Sequence, residues 1–472
     1  MALIVEPIYA EGIAQLSYLV GDDTEGVAAV IDPRPDCDAY LRVAKDRGLK
    51  IAAIYETHIH ADFMSGSLAL QQRLGGKTPI RVSSEGDADY DFKHEKVSDG
   101  SEDRFGELRL VARHTPGHTP EHLTYLAYHG SNDTAFALFS GDTLFVNSVG
   151  RPDLLGDDET QKLAGQLFES IHGFYADLDD GIMVYPGHGA GSACGPDIGD
   201  RMFSTVGYER KNNPYFAVAD KDAFIEKTLK AAPEEPSHYR PLKMLNRSVK
   251  NSRTYTNTPQ AMDASTLENW IREKEATVLD TRSSISFSSA HIPDSLNIEA
   301  KGELSVWSGW TLNFDEPLIL VLEKDSDLEK VRALLWRTGH HNVVGYLVGG
   351  IMNWIMEGKP ISSIKTYSVE QLHRERDALQ VLDVRSASER ENGFIPGSKH
   401  LFLPEIAENA LDRLDPNRPV VTYCASGFRA SIAASVLKRV GVTRVGTLPG
   451  SWIAWKQADM PIETDEEELQ PA

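Results

Sequence analysis

An α/β fold in three units is what the sequence predicts, on three observations. Up to about residue 235, short apolar runs rich in Val, Ile, Tyr and Phe alternate with turn clusters and two helical stretches, the signature of a mixed α/β domain. The rest of the chain carries an internal repeat with an offset of about 102 residues, so two similar units follow the first. A length of 472 residues accommodates roughly three domains of about 150 residues, each able to bury its own core.

The first unit is read as residues 1–235. Beyond it, Pro233-Glu234-Glu235-Pro236-Ser237-His238-Tyr239-Arg240-Pro241 and the stretch from Asn251 to Pro259 are polar, Pro-bearing and without apolar periodicity. Residues 236–260 are therefore expected to form a linker draped over a domain surface. The repeat then sets two units, 261–362 and 366–468. Val278-Leu279-Asp280-Thr281-Arg282 matches Val381-Leu382-Asp383-Val384-Arg385, His291-Ile292-Pro293 matches Phe394-Ile395-Pro396, and Gly349 with Trp354 matches Gly450 with Trp455. Each copy alternates apolar strands with amphipathic helices such as Ala430 to Val440, as in a parallel sheet covered on both faces.

Charge narrows the function. With 48 Lys+Arg against 70 Asp+Glu, the net charge of -22 repels phosphate backbones and anionic lipid surfaces, so neither nucleic acid nor membrane is an expected partner. Met1 to Pro7 lacks the basic and long apolar segments of a secretory signal, and no run of about 18 apolar residues occurs; a cytoplasmic protein is expected. Three cysteines, Cys37, Cys194 and Cys424, are too few for a disulfide framework and point instead to catalytic use. A homo-oligomer is compatible with these properties.

Four apolar runs in the first unit each lead into metal-capable side chains. Ile51 to Tyr55 precedes His58 and His60, Leu108 to Ala112 precedes His114 and His118, Ala135 to Phe139 precedes Asp142, and Ile182 to Tyr185 precedes His188. Loops at the carboxyl ends of strands are where open α/β architectures build sites. Thr115-Pro116-Gly117-His118-Thr119-Pro120 and Ser140-Gly141-Asp142-Thr143 are tight turns whose Gly and Pro aim one side chain inward. Metal binding follows from the convergence of the four ends, and the spacing alone leaves His60 open as a ligand.

His58-Ile59-His60-Ala61-Asp62, Pro116-Gly117-His118, Ser140-Gly141-Asp142 and Pro186-Gly187-His188 resemble the metallo-β-lactamase superfamily. Val149-Gly150-Arg151-Pro152-Asp153-Leu154 and His188-Gly189-Ala190-Gly191-Ser192-Ala193-Cys194-Gly195 resemble its persulfide dioxygenase branch. The resemblance implies an αββα sandwich with His58, His118 and Asp142 as direct ligands, and with His60, Asp62 and His188 orienting them through hydrogen bonds. In hydrolytic relatives a further His follows the Asp of the motif and helps to hold a second metal. Here Phe63 stands in its place, so one ion per chain is expected. Two imidazoles and one carboxylate leave open positions suited to Fe(II). Arg151 is a candidate for balancing substrate carboxylates or for bracing the site, Arg210 and Lys211 for holding an acidic thiol such as glutathione, and Cys194 for modulating the site.

Cys424-Ala425-Ser426-Gly427-Phe428-Arg429 joins the apolar run Val420 to Tyr423 to a helix beginning near Ala430. Successive backbone N–H groups of such a loop, with Arg429, would stabilise a thiolate or persulfide on Cys424. Together with Leu382-Asp383-Val384-Arg385, Glu389, Phe394-Ile395-Pro396-Gly397-Ser398 and Leu448-Pro449-Gly450-Ser451-Trp452, the loop resembles the rhodanese (sulfurtransferase) family. In the other copy Leu322 takes the place of Cys424 and Glu323-Lys324-Asp325-Ser326-Asp327 follows; a leucine carries no persulfide, so that copy is expected to be inactive. The resemblances together imply an iron persulfide dioxygenase, converting a thiol persulfide, O2 and water to thiol and sulfite, fused to a thiosulfate:thiol sulfurtransferase. The competing reading is a dinuclear thioester hydrolase of the glyoxalase II kind fused to a rhodanese.

Overall fold

The computed structural model describes residues 3–252, 258–273 and 275–464. The chain divides into two compact units, Met1–Thr256 with Leu335–Gly339, and Asn257–Leu334 with His340–Ala472. Residues 253–257 of the expected linker and the expected end of the last unit at 468 lie outside the described residues.

Two six-stranded sheets face each other in the first unit. One runs, in spatial order, Leu3–Ala10, Gln15–Asp22, Val27–Ile31, Lys50–Tyr55, Ile80–Ser83 and Glu95–Val97; the other runs Ser204–Thr205, Met183–Pro186, Ala137–Gly141, Leu123–His129, Leu108–His114 and Glu102–Phe105. The two-residue period of a strand decides which side chains fill the middle. Leu16, Tyr18, Val20, Ala53 and Tyr55 meet Leu110, Ala112, Tyr125 and Phe139 between the sheets. Their neighbours Leu19, Val30, Ile54 and Val82 turn outward to Tyr40 of the helix Asp38–Arg47 and to Leu68 and Leu70 of the helix Ser67–Arg73. On the far side Leu126, Leu138 and Val184 pack on Leu167 of the helix Asp157–Glu169 and Phe224 of the helix Lys221–Ala231. This is the αββα sandwich. Each large apolar side chain so buried contributes about 1.5–3 kcal/mol, against about 0–1 kcal/mol for an exposed ion pair, so these layers hold the unit together.

Strand direction places the site. Leu123–His129 is antiparallel to both Leu108–His114 and Ala137–Gly141, and Met183–Pro186 is parallel to the latter. The last three named therefore deliver their carboxyl ends to one edge of the second sheet. Lys50–Tyr55 belongs to the facing sheet, so the ligands come from two sheets rather than from neighbouring strands of one.

The stretch expected to be a linker contains the helix Tyr239–Asn246, with Tyr239, Leu242 and Asn246 buried. Pro241 falls in its first turn, where a missing N–H costs nothing.

The second unit holds the repeat as two five-stranded parallel sheets. The first orders Gln260–Met262, Val343–Leu347, Leu318–Val321, Thr277–Asp280 and Leu296–Asn297; the second orders Lys365–Thr366, Val445–Thr447, Val420–Tyr423, Gln380–Asp383 and Lys399–His400. Equivalent residues make equivalent bonds: Arg282 forks onto Asp280 as Arg385 does onto Asp383, and the Trp354 and Trp455 indoles each donate at 2.8 Å to a proline carbonyl six residues on. Among the described residues no helix is long and apolar enough to cross a membrane.

Candidate metal centre and sulfur-transfer loop

His58, His118 and Asp142, all buried, bring one ligand atom each into a common group. His58 Nε2 lies 3.8 Å and His118 Nε2 3.6 Å from Asp142 Oδ2. The tautomers follow from the hydrogen-bond network. Thr57 donates through N and Oγ1 to the Asp32 carboxylate at 2.7 and 2.8 Å, so Thr57 Oγ1 accepts from His58 Nδ1 at 2.9 Å. His118 Nδ1 donates to the Arg151 carbonyl at 2.8 Å. Both Nε2 lone pairs are thereby aimed at Asp142. His58 Nε2 and Asp142 Oδ2 are buried without a hydrogen-bond partner, a costly arrangement for polar atoms unless a cation unites them. Burial, reinforced by the neighbouring His60, pushes His58 well below the usual imidazole range, and burial also lowers His118, so both rings favour the neutral form a metal needs.

Asp142 is held by two histidines. Its Oδ1 accepts from His188 Nδ1 at 2.8 Å, and its N–H donates to His122 Nε2 at 3.0 Å. Gly141, at φ +48°, permits the tight turn, since a Cβ there would lie 2.5 Å from His122 Nε2. Burial alone would raise the Asp142 pKa, but His188 outweighs it and keeps the carboxyl ionised. His188 is itself clamped, with Nε2 2.7 Å from Asp62 Oδ2. Burial opposes its protonation, and the two carboxylates override burial. Both nitrogens of that imidazolium are spent on hydrogen bonds. The Phe63 ring, fully buried, sits 4.4 Å from His60 and 6.5 Å from His188 between ring centroids. A phenyl, which has no lone pair to offer a metal, thus stands beside both histidines.

His60 turns away from the triad. Its Nε2 lies 3.1 Å from Asp32 Oδ1 and 3.0 Å from Glu56 Oε2, at ion-pair distance though without hydrogen-bond alignment. Burial lowers its pKa, but Asp32 and Glu56 more than compensate. Cys194, also buried, groups with Asp62, Asp142 and His188, and burial pushes its thiol well up.

In the second unit Cys424 follows the strand Val420–Tyr423 and precedes the helix Phe428–Arg439. Gly427, in the left-handed region at φ +108°, turns the loop so that its N–H donates to Cys424 Sγ at 3.1 Å. Of the successive amides expected to face the sulfur, this is the one within bonding distance. Cys424 N–H donates to Ser451 Oγ, and Trp452 and Ile453 N–H anchor the Cys424 and Ala425 carbonyls. Ser426 is exposed and Phe428 half-buried. Arg429 forks onto Glu389 at 2.6 and 2.7 Å, and the Trp307 ring of the other copy lies 5.7 Å from its guanidinium carbon, within cation–π range. Leu322, at the corresponding place in that copy, is buried and followed by exposed Glu323, Lys324, Asp325 and Ser326.

Residues 11–188 match the metallo-beta-lactamase superfamily, and residues 263–357 and 368–458 each match the rhodanese-like domain. Mitochondrial persulfide dioxygenase of Bos taurus is 33% identical over 202 residues, which cover 42% of this chain and 70% of that protein. The chain belongs to the persulfide dioxygenase family. A metallo-beta-lactamase from Staphylococcus aureus subsp. aureus COL matches with a TM-score of 0.66 at 32% identity, covering 74% of this chain and 100% of that one. Hydroxyacylglutathione hydrolase GloC of Haemophilus influenzae is 26% identical across 45% of this chain and 97% of that protein.

For a member of the persulfide dioxygenase family, two of the three basic residues read as substrate candidates, Arg151 and Arg210, are engaged within the protein. Arg151 is buried, forks onto Asp153 at 2.7 and 2.8 Å and reaches the Ala193 carbonyl. It is a brace between the His118 turn and the Cys194 loop. Arg210 is spent on Asp180 and the Leu178 carbonyl, and Lys211 is exposed on the same short helix. Neither joins the metal group. His114 bonds the Pro120 carbonyl and also stays out of it. Sequence reasoning missed His122, whose Nδ1 meets Thr115 and Thr143 hydroxyls while Nε2 holds the Asp142 amide. It missed Asp32 and Glu56 too, which directly follow the strands Val27–Ile31 and Lys50–Tyr55, and Trp307, which lies in the other copy of the repeat.

Proposed function

We propose that the first unit is an iron-dependent persulfide dioxygenase, which takes a thiol persulfide, O2 and water to thiol and sulfite, and that Cys424 carries sulfane sulfur between thiosulfate and a small thiol, glutathione being the favoured one. One observation supports the metal assignment above others: two neutral imidazole nitrogens and one carboxylate oxygen point at a single buried spot, while Phe63 and the His188 clamp take up the neighbouring one. Two histidines and a carboxylate on one face suit a single Fe(II), which supplies open positions for a sulfur ligand and O2. The chain's own residues do the rest. Asp32 and the Arg151 carbonyl fix the two tautomers, His122 and His188 orient Asp142, and the apolar Phe63 and Phe145 rings beside His188 keep bulk water from the cluster.

In the second unit the Gly427 amide supports charge on Cys424 sulfur, and Glu389 with Trp307 holds Arg429 beside the loop. The copy bearing Leu322 we read as inactive in transfer. Three unpaired cysteines accord with a reducing, cytoplasmic setting.

Metal analysis of anaerobically purified protein, combined with O2 uptake on glutathione persulfide, tests this reading. One iron per chain and sulfite formation are expected. A second reading, the dinuclear thioester hydrolase, draws on the buried Asp62–Asp142–His188–Cys194 group; two zinc ions per chain and thioester cleavage without O2 would establish it instead.

A further inference from the structure

Lys243 stands on the helix Tyr239–Asn246, one face of which is laid on the metal centre. Tyr239, Leu242, Lys243 and Asn246 share that face at helical spacing. At its start Tyr239 Oη lies 4.0 Å from the buried Cys194 Sγ, a neighbour of Asp62, Asp142 and His188. At its end Asn246 donates to the carbonyls of His60 at 2.9 Å and Phe63 at 2.7 Å, and accepts from Ser65 N–H at 2.9 Å. Lys243 lies between these anchors, on the face that carries both.

The ammonium is buried and, among the described residues, has no hydrogen-bond partner. The carboxylate whose charge reaches it, Glu121, spends Oε1 on the Ile59 N–H at 2.9 Å. Burying an ammonium with no acceptor on any of its N–H groups is costly even with a carboxylate's charge in reach, and a lysine serving only to pack would snorkel its head into water. Burial pulls its pKa below the usual lysine value, the direction that an arriving anion reverses.

We propose that Lys243 is the anion-binding residue of the metal centre, pairing with the negative charge a thiol persulfide brings and so selecting anionic substrates. The substrate's identity rests on the dioxygenase reading above; the anion site rests on the orphaned ammonium. Two parts of such a substrate carry charge, the ionised terminal sulfur and a carboxylate of the carrier thiol.

The full, iron-loaded chain is compared with Lys243→Met, Lys243→Gln and Lys243→Arg. O2 uptake is measured on glutathione persulfide, which has carboxylates, and on cysteamine persulfide, which has none. Anaerobic calorimetry with sulfite, an inorganic dianion, reports binding without turnover. The neutral variants should raise KM for glutathione persulfide roughly tenfold to a hundredfold, the range for losing a charged hydrogen bond, with kcat little changed and sulfite weakened alike, while Lys243→Arg recovers most of both. An equal KM increase on both persulfides assigns the contact to the sulfur anion, and one confined to glutathione persulfide assigns it to a carboxylate. Iron-replete neutral variants with wild-type KM on both and wild-type sulfite affinity overturn the proposal, as does equal loss of iron in all three variants, which makes the lysine structural. A wild-type chain that consumes no O2 on any persulfide yet binds sulfite through Lys243 would sink the dioxygenase reading and leave the anion site standing.

Discussion

Phe63 acts by what it withholds. At 0% exposure it fills volume beside His60 and His188 that an imidazole could use to hold a metal, and it leaves His188 free to serve as a doubly donating clamp. Phe63→His should therefore raise the metal content of the purified chain above one ion and cut O2 uptake by about tenfold, read by elemental analysis and an oxygen electrode. Unchanged stoichiometry would mean that the His188 clamp, not the phenyl, excludes the second ion. In the sulfur-transfer loop the comparable residue is Glu389. Burial raises its pKa, yet the Arg429 fork and the Ser386 cap more than offset this, and the net shift is downward. A carboxyl depressed on folding adds stability that is present above its usual value of 4.5 and lost as pH falls through the folded value. Glu389 is about one-third exposed, so solvent screening keeps the contribution to about 1 kcal/mol or less. Melting of the wild-type chain should accordingly lose ground in the second unit below that pH, and Glu389→Gln should flatten the dependence. A Gln variant with the wild-type acid profile would place the acid sensitivity elsewhere.

At the scale of elements, the helix Tyr239–Asn246 shows how composition conceals structure. Its surroundings are polar and Pro-bearing, and eight residues are too few for periodicity to stand out, yet one face carries Asn246 to three backbone groups of the metal loop. Asn246→Ala leaves those buried groups unpaired, at about 1–3 kcal/mol. The expected outcome is a lower urea midpoint for the first unit together with faster loss of iron to a chelator; loss of stability without loss of iron would separate the helix from the metal site. The elements that were legible share a local cause. Metal-capable strand-end residues such as His58, His118 and Asp142, which the structure brings into one group, stand next to strongly apolar strands and Gly/Pro turns, and the repeat declares itself through Asp280–Arg282 and Asp383–Arg385, whose bonds are made within three residues. His122, Asp32, Lys243 and Trp307 were not legible, because each acts on a partner at least 20 residues away in the chain, and no local pattern encodes such a pairing. Arg151 and Arg210 were open in the sequence for the complementary reason: charge is visible there, but whether Asp153 or Asp180 has already claimed it is not.

For the molecule as a whole, the two chemistries are built on separate frameworks. The metal triad hangs on the edges of the αββα sandwich, and Cys424 on the carboxyl end of a parallel strand in a different compact unit, so neither set of residues is positioned by the other's strands. Asp142→Ala removes the anionic ligand and the Oδ1 anchor of His188 together, and should reduce bound iron and O2 uptake by at least about a hundredfold. Thiosulfate-to-thiol transfer by the same preparation should stay within about twofold, because surface and distant changes add independently. Cys424→Ser should do the converse, abolishing transfer while O2 uptake on supplied glutathione persulfide persists. The informative measurement is a third one, O2 uptake with thiosulfate and glutathione in place of preformed persulfide. If Cys424 feeds the dioxygenase, that uptake requires both residues, fails in either single variant, and returns when the two variants are mixed, since the persulfide is a free small molecule that diffuses from one chain to another. Failure of the mixture to recover would show instead that sulfur is handed over within one chain, and the fusion would then be a requirement of the chemistry rather than a convenience of expression.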